Sequence, residues 1–130
     1  MITLNDKSIV VVDDERDIVS QIKRFLEAMD GFKVYTFTDP FAALEHFSSG
    51  CKDHPIVISD IRMPGMNGYE FVKQVKKIDP QSKIILMSSF GINDNNLLDV
   101  LPDVKIDTFL QKPFSLDILT NIVTIPGNSK

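Results

Sequence analysis

The sequence predicts an α/β domain built on a five-stranded parallel sheet with helices on both faces, and three observations predict it. Five short runs rich in apolar and β-branched residues alternate with stretches of helical periodicity. Two of those runs, 9–12 (Ile-Val-Val-Val) and 56–59 (Ile-Val-Ile-Ser), lack the polar alternation of a half-wet strand, as expected of strands buried on both faces of a sheet. Both end in acid, at Asp13-Asp14-Glu15 and at Asp60, and the second opens into a Pro/Gly-rich loop, Met63-Pro64-Gly65-Met66-Asn67-Gly68. In an open α/β sheet such strand ends lie together at the carboxyl edge, where ligands bind.

The elements follow in order. Residues 9–12 are the first strand. Residues 16–29 read as a helix in which Ile18, Val19, Ile22, Phe25, Leu26 and Met29 form one apolar stripe, stopped by Asp30-Gly31. Residues 32–37 alternate as a strand with one wetter face, nearer a sheet edge. Thr38-Asp39-Pro40 starts a helix carrying Phe41, Ala43, Leu44 and Phe47, which Ser48-Ser49-Gly50 ends. After the strand over 56–60, residues 68–78 form a helix with Phe71, Val72, Val75 and Ile78 on one face. Asp79-Pro80-Gln81-Ser82 turns into a strand over 83–88. A short helix beginning in Asn93-Asp94-Asn95-Asn96 is expected to run to Leu101 and stop at Pro102. A fifth strand covers 108–111, and a last helix over 115–123 uses Leu116, Ile118, Leu119, Ile122 and Val123.

At 130 residues the chain is long enough for one core without disulfides. It has no internal repeat and no linker, so a single domain over 1–130 is expected, with a core at about 7–123 and a short tail over 124–130. Hydrophobic content of 43% and charged content of 25% are those of a globular domain, and a net charge of −4 argues against binding nucleic acid or an anionic membrane. One cysteine, Cys51, cannot form an internal bridge, and no run reaches the roughly 20 apolar residues of a membrane span. With no signal-peptide pattern at the start, a cytoplasmic setting is expected.

The chemistry gathers at the carboxyl edge. Three carboxylates on neighbouring strand ends, Asp13, Asp14 and Asp60, repel one another unless positive charge lies between them, and Mg²⁺ is the cation that suits such a set. Lys112, just past the fifth strand, and the hydroxyl of Ser88, at the end of the fourth, fall at the same edge. A carboxylate nucleophile beside Mg²⁺, a lysine and a hydroxyl suits phosphoryl transfer through an aspartyl-phosphate. Taken singly these features are commonplace: an acidic pair can cap a helix, a lone serine is usually structural, and Lys-Pro is a common loop dipeptide. Their conjunction at four strand ends supports the chemical reading.

The ordered set Val-Val-Asp-Asp-Glu at 11–15, Asp-Ile-Arg-Met-Pro-Gly-Met-Asn-Gly at 60–68, Met-Ser-Ser at 87–89 and Phe-Leu-Gln-Lys-Pro-Phe at 109–114 resembles a response-regulator receiver domain of two-component signalling. The resemblance covers about 7–123. It implies a flavodoxin-like sheet of order 2-1-3-4-5. It makes Asp60 the phosphoacceptor, supplied by a phosphohistidine on a sensor histidine kinase. Asp14, Asp60 and the backbone carbonyl of Arg62 become Mg²⁺ ligands, with Asp13 acting mostly through a bound water. Ser88 becomes the switch hydroxyl, Lys112 the phosphate-pairing lysine and Phe109 the switch aromatic, and the Lys112–Pro113 peptide is cis. The implied partners are that kinase and a downstream protein or output domain. Neither nucleic acid nor membrane is contacted directly, and the oligomeric state is monomer or weak phosphorylation-linked dimer.

The chain departs from the family pattern in three places. The segment between Ser88 and Lys112 is longer than usual and lacks an Ala-Gly-Ala-like turn before the fifth strand. Phe90 and Arg62 stand at the variable positions flanking the site, and Phe90 has no acid or amide to orient a hydrolytic water, which predicts slow loss of the phosphoryl group. Phe109 lacks a tyrosine hydroxyl, so any switching works through packing. His46, His54, Cys51 and the loop methionines are read as structural or inert. A metabolite-directed Mg²⁺ phosphohydrolase is the competing enzyme reading, disfavoured because Arg62 occupies the place of a second acid. An interaction module that is never phosphorylated is the other alternative, disfavoured by the complete set of site residues. The protein is therefore expected not to be an enzyme beyond its own phosphorylation and dephosphorylation.

Overall fold

The computed structural model describes residues 7–29, 31–49, 55–88, 106–112 and 114–124. Five strands, β1 (Lys7–Val12), β2 (Phe32–Phe37), β3 (Ile56–Asp60), β4 (Lys83–Ser88) and β5 (Thr108–Gln111), form one sheet. Their order is β2-β1-β3-β4-β5, parallel throughout, with β2 at an edge as its alternation predicts. Four helices are described: α1 (Arg16–Glu27), α2 (Pro40–Ser48), α3 (Gly68–Ile78) and α4 (Leu116–Thr124). The short helix expected from Asn93 to Leu101, the Pro102 stop, Phe90, Cys51, His54 and the Lys112–Pro113 peptide lie outside the described residues.

Strand alternation divides the core into two layers. Val10, Val12, Val57, Ile84 and Leu86 face one side and pack with Ala43 and Phe47 of α2 and with Phe71, Val72 and Val75 of α3. Ile9, Val11, Ile56, Ile58, Ile85 and Met87 face the other and pack with Val19, Ile22 and Leu26 of α1 and Leu119 and Val123 of α4. Each such side chain, fully withdrawn from water, contributes about 2 kcal/mol. The central strands therefore tolerate no unpaired polar group, which makes the burial of Asp60 at the end of β3 a matter of chemistry.

The helices begin where local signals put them. The Asp39 carboxylate accepts the Phe41 N–H at 3.1 Å ahead of Pro40, and the Asn67 side chain accepts the Glu70 N–H at 2.9 Å, so α2 and α3 are both capped by side chains. Gly31, at φ +97°, reverses the chain after α1 and brings its carbonyl to the Lys7 N–H at 2.7 Å. α1 ends at Glu27, two residues before the expected end. Three apolar residues expected on helix faces are exposed: Phe41, Ile78 and Ile118. Ile78 is the last residue of α3, where the chain turns and buries Asp79 instead. Ile118 sits one position round from the Leu119–Val123 pair that fills the α4 stripe.

Candidate functional site

Register sets the site. β1 and β3 pair Val12 with Ser59, and β3 and β4 pair Asp60 with Met87, so the residues leaving β1 and β3 emerge side by side at the carboxyl edge. Asp13 is fully buried. Its Oδ1 accepts the Glu15 N–H at 2.9 Å, and its Oδ2 lies 2.7 Å from the Lys112 Nζ. Its own N–H donates to the Phe37 carbonyl at 3.2 Å, tying the end of β1 to β2. Asp60 is only 6% exposed, with Oδ1 3.1 Å from the same Nζ. Asp14 is exposed, yet one oxygen from each of Asp13, Asp14 and Asp60 lies within 4.8 Å of the others.

Lys112 is held from both ends. Its backbone N–H donates to the Ser88 carbonyl at 2.7 Å, which hangs the residue beyond β5 from the end of β4. Its side chain lines a cleft of about 280 Å³ with Ile18, Ile22, Phe114 and Leu116, so the stem borders apolar surface while the ammonium meets the acids. At the other end of β5, Asp107 clips the strand to β4: its carboxylate accepts the Ile84 N–H at 2.7 Å and its N–H donates to the Ile84 carbonyl at 2.9 Å. Between these clips Phe109 pairs with Leu86 and packs, half-buried, on the core layer that the sheet shares with α2 and α3.

The electrostatics follow from this geometry. Burial raises the Asp60 carboxyl above its ordinary range, and the Asp13 charge raises it further. Lys112 opposes both, and Asp14 adds a smaller upward push. Burial pulls the Lys112 ammonium down, but the hydrogen bond and charge of Asp13, followed by those of Asp60, outweigh it and hold it above its ordinary value. The site is short of positive charge, with hard oxygen donors clustered at the spacing of a divalent-cation site. The donor chemistry fits Mg²⁺.

Asp13, Asp14, Asp60 and Lys112 thus converge as expected, with buried Ser88 joined to them through the Lys112 backbone. Arg62 follows two residues after Asp60 with an exposed side chain. Sequence reasoning missed three contributors. Glu15 reaches Lys112 at 3.4 Å, a contact that its place two residues after Asp13 could have suggested. Gly68 donates its N–H to the Ile61 carbonyl at 2.7 Å, seating α3 directly on the chain leaving β3. The Asp107 clip had no signal beyond an acid ahead of an apolar run.

Residues 9–124 match the model of the response regulator receiver domain. The chain belongs to that family. Receiver domains are the phosphoacceptor switches of two-component signalling, and the family is not one of enzymes in general. The chain is 35% identical, over 86% of its length, to the C4-dicarboxylate transport transcriptional regulatory protein DctD of Rhizobium meliloti, of which it covers 23%. It is 34% identical to the transcriptional regulatory protein FixJ of Bradyrhizobium diazoefficiens, over 88% of this chain and 54% of that protein. The receiver domain therefore spans about a quarter of the length of the dicarboxylate-transport regulators it matches. Among solved structures it is similar to a response regulator receiver domain protein of Clostridium thermocellum, with a TM-score of 0.78, 31% identity and 90% of each chain covered. It is also similar to the response regulator TrrA of Thermotoga maritima in complex with Mg²⁺ and beryllofluoride, with a TM-score of 0.73, 32% identity, and 90% and 96% of the two chains covered. Among the described residues no helix is long and apolar enough to cross a membrane.

Proposed function

We propose that this receiver domain takes a phosphoryl group from a phosphohistidine of a sensor histidine kinase onto Asp60 and thereby regulates a downstream protein or output domain. The observation that carries the reading is the Lys112 ammonium lying 2.7 Å from Asp13 and 3.1 Å from Asp60, with Asp14 completing a carboxylate cluster on the open side. A buried carboxylate held by one lysine beside two further acids is poised for an electrophile rather than for a structural ion pair.

The chemistry assigns each residue a part. A carboxylate oxygen of Asp60 attacks the phosphorus of the donor, the P–N bond breaks, and the histidine nitrogen leaves with the electron pair. Lys112 exchanges the Asp60 oxygen for a phosphoryl oxygen, keeping its bond to Asp13. The Ser88 hydroxyl donates to another phosphoryl oxygen, and its movement lets Phe109 repack, shifting a pre-existing equilibrium. Mg²⁺, which Asp14, Asp60 and the Arg62 backbone carbonyl would hold, supplies neutralisation of the transferring oxygens. Asp13 already accepts one protein hydrogen bond on each oxygen, which suits contact with the cation through a water. On this reading the domain has no metabolite turnover and acts in the cytoplasm as a monomer or weak phosphorylation-linked dimer, with one core over about 7–123. Phe90, two residues after Ser88 in the sequence, offers no acid or amide to orient a hydrolytic water, so the acyl phosphate is slow to hydrolyse.

The test is intact-protein mass after incubation with acetyl phosphate. A single phosphoryl adduct is expected on the wild type with Mg²⁺ and none on Asp60→Asn. An equal adduct on Asp60→Asn would reject the assignment.

A further inference from the structure

An ammonium has three N–H donors, and Lys112 has three carboxylates around it: Asp13 at 2.7 Å, Asp60 at 3.1 Å and Glu15 at 3.4 Å. The first two are buried, whereas the Glu15 side chain is 64% exposed and covers the ammonium from the solvent side. Glu15 stands outside the trio of carboxylates that could share a cation. Asp13, Asp14, Glu15 and Asp60 together carry four negative charges. Lys112 and a divalent cation offset three, and the surplus is one carboxylate at the mouth of the site. Backbone geometry keeps it there, because the Glu15 N–H is anchored on Asp13 and its carbonyl accepts the Ile18 N–H at 3.1 Å and the Val19 N–H at 3.3 Å at the start of α1.

We propose that Glu15 is a selectivity residue for the phosphodonor, disfavouring small dianionic acyl phosphates relative to P–N donors whose nitrogen leaving group brings a proton and its positive charge. The inference rests on Asp60 as the acceptor. Two effects act in the same direction. An incoming dianion meets the uncompensated carboxylate, and Glu15 competes with the phosphoryl oxygens for a donor of Lys112. A P–N donor carries less net negative charge and meets less resistance. Because Glu15 is exposed, its effect is screened by salt.

The experiment compares wild type, Glu15→Gln and Glu15→Lys with Mg²⁺, following the phosphoryl adduct by intact mass with acetyl phosphate and with phosphoramidate as donors, at low and at high salt. At low salt Glu15→Gln should react with acetyl phosphate about three- to tenfold faster than wild type, and Glu15→Lys faster still, the size expected for one charge acting on a dianion a few ångströms away. The gain with phosphoramidate should be smaller, and both gains should shrink at high salt. Equal rates for the three proteins, or a salt-independent loss on both donors in Glu15→Gln, would overturn the proposal and make Glu15 a tether of Lys112. An adduct that forms equally on Asp60→Asn would overturn the acceptor assignment and the proposal with it, whereas equal Glu15 rates on a protein modified at Asp60 would overturn the proposal alone.

Discussion

Replacing Gly68 with alanine measures how firmly the site is braced from behind. A methyl group there would run into the Asp60 carbonyl oxygen and lie 2.8 Å from the Ile61 Cα and 3.1 Å from the Asp60 carbonyl carbon. All are backbone atoms, so no rotamer change relieves the contact, and either α3 or the end of β3 must move. Two terms oppose each other. Alanine restricts the unfolded chain and suits a helix, worth about 0.5–1 kcal/mol. Overpacking against fixed atoms costs about 1–3 kcal/mol, and a clash with backbone lies at the upper end. The expected net loss is about 2 kcal/mol, read from urea denaturation. Because two of the three contacted atoms belong to the acceptor residue and the third to the residue after it, phosphoryl transfer from acetyl phosphate should also fall, by about 10- to 100-fold. Gly31→Ala is the control. Gly31 has φ +97° with nothing within 4 Å of an added Cβ, so the change costs about 1–2 kcal/mol of backbone strain and leaves transfer unchanged. A Gly68→Ala protein as stable and as reactive as wild type would refute the reasoning.

Three further outcomes are expected. Lys112→Met leaves Asp13 and Asp60 buried without their counter-charge, so the metal-free protein should lose about 3 kcal/mol in urea denaturation, partly recovered by Mg²⁺. Lys112 titrates above its ordinary value and Asp60 above the ordinary carboxylate range, so this gap should be full between the raised Asp60 value and the ordinary lysine value, close as pH rises through the raised lysine value, and shrink in acid as Asp60 is protonated; a pH-independent gap would contradict the pairing. Asp60 binds its proton more tightly folded than unfolded, so its ionisation costs stability as pH rises from the ordinary carboxylate range through its raised value. Asp60→Asn should therefore be more stable than wild type in metal-free thermal denaturation at neutral pH, with the difference vanishing in acid. Asn67→Ala removes the cap on the Glu70 N–H and should cost about 1 kcal/mol in urea denaturation without changing acceptor chemistry.

The alternation of uniformly apolar runs with helical stripes made the sheet and its helices legible, because strands buried on both faces leave no room for polar residues. Strand order was not legible from periodicity, since each strand would look alike in any order; it came through the resemblance, and the register of β1, β3, β4 and β5 agrees with it. Asp13, Asp14, Asp60 and Lys112 were legible because acids at the ends of buried strands are expensive and call for a partner. Glu15 and Gly68 were not. The reach of Glu15 to Lys112 joins residues 97 apart in sequence, and the role of Gly68 depends on how closely α3 returns to β3. Ile78 and Ile118 show the limit of periodicity, which marks an apolar face but not how much of it a neighbouring layer covers.

The central claim is that the phosphoryl group rests on Asp60. Its most direct test is to treat the Mg²⁺-loaded protein with acetyl phosphate, reduce the acyl phosphate with borohydride, and locate the modified residue by peptide mass. The account predicts homoserine at position 60 and nowhere else. Homoserine at position 13 or 14 would contradict it.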